Sequence, residues 1–131
     1  MGALARRIRS RPQPMSRPCC VVAGGETTVT VTGRGKGGRA QEFAVAAAKM
    51  VAGLPRVSVA AIATDGTDGP TDVAGALVDG NTWLRAGRLG IDLNAALKQN
   101  DTYRALKRLG SHIITGPTGT NVNDLYLLFV L

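Results

Sequence analysis

Val57-Ser58-Val59-Ala60-Ala61-Ile62-Ala63 is a near-continuous apolar run, and Thr64-Asp65-Gly66-Thr67-Asp68-Gly69-Pro70-Thr71-Asp72 follows it directly. A run of this kind predicts a strand at the centre of a sheet, covered on both faces. The Asp- and Gly-dense stretch after it reads as a loop. In open α/β sheets, ligands bind beyond the carboxyl ends of strands. The same sixteen residues therefore set both the architecture and the first place to look for chemistry.

Upstream, Ala40 to Leu54 reads as a helix, with Phe43, Ala47, Met50 and Leu54 at helical spacing and Gly53 and Pro55 to end it. Gly33 to Gly38 forms a glycine-rich loop before that helix. Thr27 to Thr32 alternates Thr and Val, which predicts a strand. Gly24-Gly25 reads as a turn after a short strand, Cys19 to Ala23. Downstream, Ala74 to Val78 predicts a short strand or turn. Helices are expected near Asn81 to Arg88, Leu93 to Lys98 and Thr102 to Leu109, with Asp92 and Asp101 as N-caps of the last two. Ile113-Ile114 is a short apolar stretch, and Leu125 to Leu131 predicts a terminal strand. Strands alternating with helices give an α/β fold: a single layered domain with a mixed β-sheet flanked by helices, spanning 19–131.

The chain has 131 residues, enough for one domain with a real core. Hydrophobic content is 44% and charged content 19%, which excludes a disordered chain. Net charge is +7, but Arg6, Arg7, Arg9, Arg11 and Arg17 crowd the first residues with no acid among them. Residues 1–18 thus read as a basic arm or the remnant of an inter-domain connection. Ala3 to Ile8 fits the last turns of a helix, which Pro12, Pro14 and Pro18 would end. Such an arm offers phosphate contacts to nucleic acid, but aromatic content is only 4%, too little for a base-stacking surface; nucleic acid is not the expected partner. No run approaches the ~18 apolar residues of a membrane span, and there is no secretory h-region. Adjacent Cys19 and Cys20 suit neither a disulfide nor a metal pair, so they read as buried thiols in a reducing compartment. The expected location is cytoplasmic, although an Arg-rich, acid-free arm also resembles an organelle-targeting segment.

Three loops carry the candidate chemistry. Gly33-Arg34-Gly35-Lys36-Gly37-Gly38-Arg39 lies between a strand and a helix. Glycine amides, the helix N-terminus and two basic side chains together suit an anion. The alternative is a flexible connection with solvated charges. The loop is neither a Walker A sequence nor a clean dinucleotide fingerprint. In the acidic loop, Asp65 stands nearest the strand end and suits a base or a Mg²⁺ contact; Asp68 and Asp72 read more readily as turn and cap residues. Thr115 to Asn121 offers hydroxyls and amides to a polar ligand, or bonds only to itself. His112 is the single histidine, so it is read as structural and no zinc site is expected.

The run Gly24-Gly25-Glu26-Thr27-Thr28-Val29-Thr30-Val31, then Gly37-Gly38-Arg39 and Gln41-Glu42, resembles the MOFRL domain, the C-terminal part of the glycerate 2-kinase family, also named hydroxypyruvate reductase. Thr64-Asp65-Gly66 with Asp68 to Asp72 and Ala74-Gly75-Ala76 resembles its next block, and Asn100 to Tyr103 and Thr115 to Asp124 two more. Ala40 departs from the family's usual Asn, and Ala63 from a frequent Gly. The resemblance implies ATP-dependent phosphorylation of D-glycerate in a cleft shared with a larger N-terminal domain. It implies Arg39 and Asp65 as the catalytic contributions: Arg39 on the glycerate carboxylate or the phosphoryl group, Asp65 on the hydroxyl. Gly35, Lys36, Gly37, Gly38, Thr64, Gly66, Thr118 and Asn121 would contact substrate or phosphate. ATP with Mg²⁺ is expected in the complete enzyme, with no metal or cofactor held tightly by this chain. An exposed inter-domain face could also drive homo-oligomer formation. The alternatives are an NAD(P)H-dependent reductase domain and a non-catalytic anion-binding module.

Overall fold

The computed structural model describes residues 1–10 and 15–131. The strands are β1 (Cys19–Gly25), β2 (Val57–Ala63), β3 (Gly75–Asp79), β4 (His112–Ile113) and β5 (Asp124–Val130). The helices are α1 (Gly2–Ser10), α2 (Arg39–Val51), α3 (Thr82–Arg88), α4 (Leu93–Lys98) and α5 (Thr102–Arg108). The strands form one sheet in the order β1-β5-β2-β3-β4. β2 is central, as its apolar run predicts, but it is not equally covered on both faces: Ser58 and Ile62 on the second face are only half-buried.

The α/β class and the single layered domain hold, but the sheet is not mixed. Each of its four pairings is antiparallel. The physical reason lies in the last strand. β1, α2 and β2 follow one another as a crossover unit would, and β1 and β2 do run in the same direction. β5 then inserts between them, antiparallel to both, with Asp124 opposite Gly25 on one side and Ala63 on the other. Sequential alternation of strand and helix cannot reveal that a terminal strand will separate two parallel ones.

β5 buries every second residue: Asp124, Tyr126, Leu128 and Val130 face inward. α2 covers β2 and β3, α1 lies on α2 and β5, and α3, α4 and α5 pack against α2. The buried stripe of α2 is Ala40, Ala44, Val45, Ala47, Ala48 and Val51. Small residues let the helix approach the sheet closely. Met50, expected in that stripe, is exposed; Phe43 packs on Tyr126 with ring centroids 4.2 Å apart. On the other face, Val22 pairs with Leu127, Leu127 with Ala60 and Ala60 with Leu77, and both Val22 and Leu77 are exposed.

The basic arm is not simply solvated at its start. Ala5 and Ile8 of α1 are buried in the core, while Arg6 and Arg7 point outward. The expected stop at Pro12 and Pro14 lies outside the described residues. Several local expectations change. Residues 26–32 form no strand; Thr27 meets the Tyr126 hydroxyl at 3.0 Å and the Thr32 N–H is held by Asn100 Oδ1 at 2.9 Å. Gly24-Gly25 continues β1 rather than turning. Cys19 is half-buried and Cys20 exposed, since β1 is an edge strand with one uncovered face. Asp92 caps α4 by accepting the Ala95 N–H at 2.9 Å. Asp101 does not cap α5; its carboxylate is drawn off to the Lys36 N–H at 3.0 Å. No helix among the described residues is long and apolar enough to cross a membrane.

Candidate functional site

The three loops meet at one end of the sheet, where β1 and β2 finish and β5 begins. The glycine loop is fastened to the corner between α4 and α5. Asn100 Oδ1 accepts the Thr32 and Gly33 N–H at 2.9 and 2.8 Å. The Gln99 carbonyl accepts Gly35 N–H at 2.9 Å, and the Lys36 carbonyl accepts Tyr103 N–H at 2.9 Å. A Cβ on Gly33 or Gly35 would overlap the backbone of Gln99 or Asp101. These glycines are required by close backbone approach. Much of the expected anion cradle is therefore spent on the fold: Gly35 and Lys36 already donate their N–H groups. Lys36 Nζ sits 4.4 Å above the Tyr103 ring. Gly37 and Gly38 keep their N–H groups without an acceptor among the described residues.

The N-terminus of α2 is also occupied. Asp68, 1% exposed, accepts Ala40 N–H at 3.0 Å, Gln41 N–H at 2.9 Å and the Gln41 side-chain amide at 2.9 Å. A carboxylate from the acidic loop thus fills the helix-terminal anion site and joins two of the loops. Burial raises the Asp68 carboxyl above its ordinary range, against the pull of those N–H donors.

The third loop clasps the start of the acidic loop. Thr64 Oγ1 donates to the Asn123 carbonyl at 2.7 Å and accepts Val122 N–H at 2.8 Å. Thr118 donates its N–H to the Asp65 carbonyl at 3.2 Å and its hydroxyl to the Thr64 carbonyl. Gly66 lies against the Gly116 carbonyl, too close for a side chain. Asp65 itself, half-buried, accepts Thr67 N–H at 3.0 Å through Oδ1, which leaves Oδ2 without a partner among the described residues. Asn121 accepts Asn123 N–H at 3.0 Å.

Arg39, the first residue of α2, reaches across to β5. Its Nε donates to Asp124 Oδ2 at 2.7 Å and its Nη2 to Asp124 Oδ1 at 3.2 Å, while Nη1 pairs with Glu26. Asp124 is fully buried and also accepts the Tyr126 hydroxyl at 3.2 Å. Hydrogen bonding to Asp124 holds the Arg39 guanidinium charged even more firmly than usual. A guanidinium has five N–H donors, so two of Arg39's remain. The residue lines a cavity of about 680 Å³ bounded by residues 26–29 and Val31 on one side and by Gly35, Gly37, Gly38, Asp68 and Gly69 on another.

Of the residues expected from sequence, Gly35, Gly37, Gly38 and Arg39 border this cavity. Thr64, Asp65, Gly66, Thr118 and Asn121 form the adjoining clasp and do not line it, and Lys36 turns toward Tyr103. Asn100 and Asp124 stood in the family-like blocks but were given no role, because their parts in the site are pairings with residues far away in the chain.

Residues 19–124 match the MOFRL family. The chain belongs to the MOFRL family. This MOFRL domain is 46% identical over 127 residues to D-glycerate 2-kinase of Thermotoga maritima, covering 97% of the chain and 30% of that protein. It is 46% identical over 131 residues to glycerate 2-kinase of Pyrococcus horikoshii, covering 99% of the chain and 30% of that protein. The crystal structure of glycerate kinase from Thermotoga maritima superposes with a TM-score of 0.96 at 45% identity, over 99% of this chain and 31% of that one. The MOFRL domain thus spans about 30% of the length of the curated relatives it matches.

Proposed function

We propose that this MOFRL domain is the C-terminal part of a glycerate 2-kinase and supplies half of an inter-domain site for ATP-dependent phosphorylation of D-glycerate. The observation that carries this reading is Arg39: a firmly charged guanidinium, fixed on Asp124, at the mouth of a cavity bordered by free glycine amides. Its two remaining donors, with a third held only by the exposed Glu26, suit a carboxylate or a transferring phosphoryl group. Asp65, with one free carboxylate oxygen at the neighbouring strand end, would orient the 2-hydroxyl or take its proton. In the reaction the 2-oxygen bonds to the γ-phosphorus, the bond to ADP breaks, and the hydroxyl proton leaves to Asp65 or water. Such chemistry asks chiefly for positioning and charge neutralisation.

Thr64, Thr118, Asn121, Gly66, Gly35 and Lys36 then act by shaping the loops rather than by direct contact. Among the described residues no three His, Cys, Asp or Glu side chains are grouped so that they could hold a metal ion. In this reading ATP and its Mg²⁺ are bound with the rest of the enzyme, in a reducing cytoplasm. The domain alone is inactive, and the larger N-terminal domain is its obligate partner.

A coupled ADP-release assay with D-glycerate tests this. The chain alone should give no turnover. Turnover should appear when the remaining portion of a relative is added. Demonstrated association without turnover would count heavily against the proposal. Relatives bearing the name hydroxypyruvate reductase supply a second reading. The absence of a clean Gly-x-Gly-x-x-Gly unit in the loop Gly33 to Arg39 disfavours it. Loss of NADH absorbance with hydroxypyruvate would favour it.

A further inference from the structure

Four carboxylates surround Arg39 and its cavity, and they are not equivalent. Asp68 accepts three N–H groups. Asp124 accepts two Arg39 donors and the Tyr126 hydroxyl, in full burial. Glu42 accepts the Asn100 amide at 2.7 Å. Glu26 has no donor but Arg39 Nη1 among the described residues, and its side chain is 54% exposed. Arg39 is therefore held by one buried partner that cannot leave cheaply and one exposed partner that can.

We propose that Glu26 is a specificity-determining counter-ion, displaced from Arg39 Nη1 by the acid group of the ligand while Asp124 keeps the guanidinium in place. This rests on the reading of the cavity as a glycerate site. The exchange conserves charge at Arg39: one carboxylate leaves for solvent as another arrives. A tethered carboxylate competes at an effective concentration on the order of millimolar, so a simple anion gains little by binding. A ligand that also reaches the free Gly37 and Gly38 amides gains more than Glu26 loses. Neutral ligands have no means of releasing Glu26.

The test uses the whole chain, isotopically labelled, with D-glycerate and its uncharged methyl ester as probes. Nuclear magnetic resonance follows the Glu26 carboxyl carbon and the Arg39 Nε–H. D-glycerate should shift the Glu26 signal and leave Arg39 Nε–H bonded; the ester should do neither. Glu26→Gln, at an exposed position, should bind D-glycerate about two- to fivefold more tightly. Equal binding by both forms without a Glu26 shift, or equal binding of the ester, overturns the displacement and leaves the cavity reading standing. Folded wild-type and Glu26→Gln chains that both fail to bind at tens of millimolar, a range set by order of magnitude, overturn the cavity reading and this inference with it.

Discussion

Asp68 accepts both the backbone and the side-chain N–H of Gln41, each at 2.9 Å, from a loop 27 residues further along the chain. One buried carboxylate thereby caps α2, ties the acidic loop to the glycine loop and fills the helix-terminal anion site. Asp68→Ala should cost about 2–3 kcal/mol, the sum of a lost cap and newly unsatisfied donors. Urea unfolding of the two proteins measures it.

The raised Asp68 carboxyl also has a pH signature. Its ordinary value is 3.8, and the folded value lies above that. Between the two, the folded state holds the proton that the unfolded state has released. Its contribution is complete below about 3.8 and is lost as pH rises through the folded value. The stability of wild type minus that of Asp68→Asn should therefore fall as pH rises from about 4, then level off. A difference that grows with pH would contradict the assignment.

Two glycines should respond in opposite directions. A Cβ at Gly33 overlaps the Gln99 carbonyl, whereas one at Gly87, inside α3, meets open space. Gly33→Ala should lower stability by about 1–3 kcal/mol through forced displacement of the loop. Gly87→Ala should raise it by about 0.5–1 kcal/mol through helix propensity and a less free unfolded chain. Thermal melts of both variants check the pair.

Removing the Arg39 charge should destabilise the domain as well as disarm it. Arg39→Met leaves Asp124 buried without its main donor. A fully buried pair broken this way costs about 3–5 kcal/mol, and since the Arg39 side chain is 33% exposed the expected loss is about 2–3 kcal/mol. Glu26→Gln, which touches only the exposed pair, should change stability by less than about 1 kcal/mol. Chemical denaturation of the two variants separates the two grips on Arg39.

His112 should make the fold acid-sensitive. Burial lowers its pKa below the ordinary 6.5, and its Nε2 has no hydrogen-bond partner among the described residues. The unfolded state then takes up a proton before the folded state does. The stability that neutral His112 contributes is complete above about 6.5 and declines as pH falls toward the folded value. His112→Phe should flatten that part of the pH–stability curve, read as urea midpoints between about pH 7 and 5.

The elements themselves were legible. Helical spacing located α2, helices were expected where α3, α4 and α5 lie, and the apolar run of β2 announced the sheet centre. The glycine, acidic and Thr115 to Asn121 segments were legible as loops, while Gly24-Gly25 was not a turn. Residues 26–32 misled, because alternating Thr and Val satisfies a strand pattern whether or not a partner strand lies alongside. Asp101 misled because a carboxylate before a helix serves any nearby N–H, and Lys36 offered one. Cys20 and Met50 misled because apolar character says nothing of which face of an edge strand or helix is covered.

Local pattern determined which segments are strands, helices and turns, since those depend on propensity and on spacing within a few residues. Family motifs pointed to Arg39 and Asp65. Only the tertiary structure decided that β5 separates β1 from β2, that Asp68 caps α2, and that Asp124 and Glu26 share Arg39. Each of those is a pairing between residues far apart in the chain. Its free energy exists only once the backbone has brought the partners within hydrogen-bonding distance, so it leaves no trace in either partner's immediate neighbourhood.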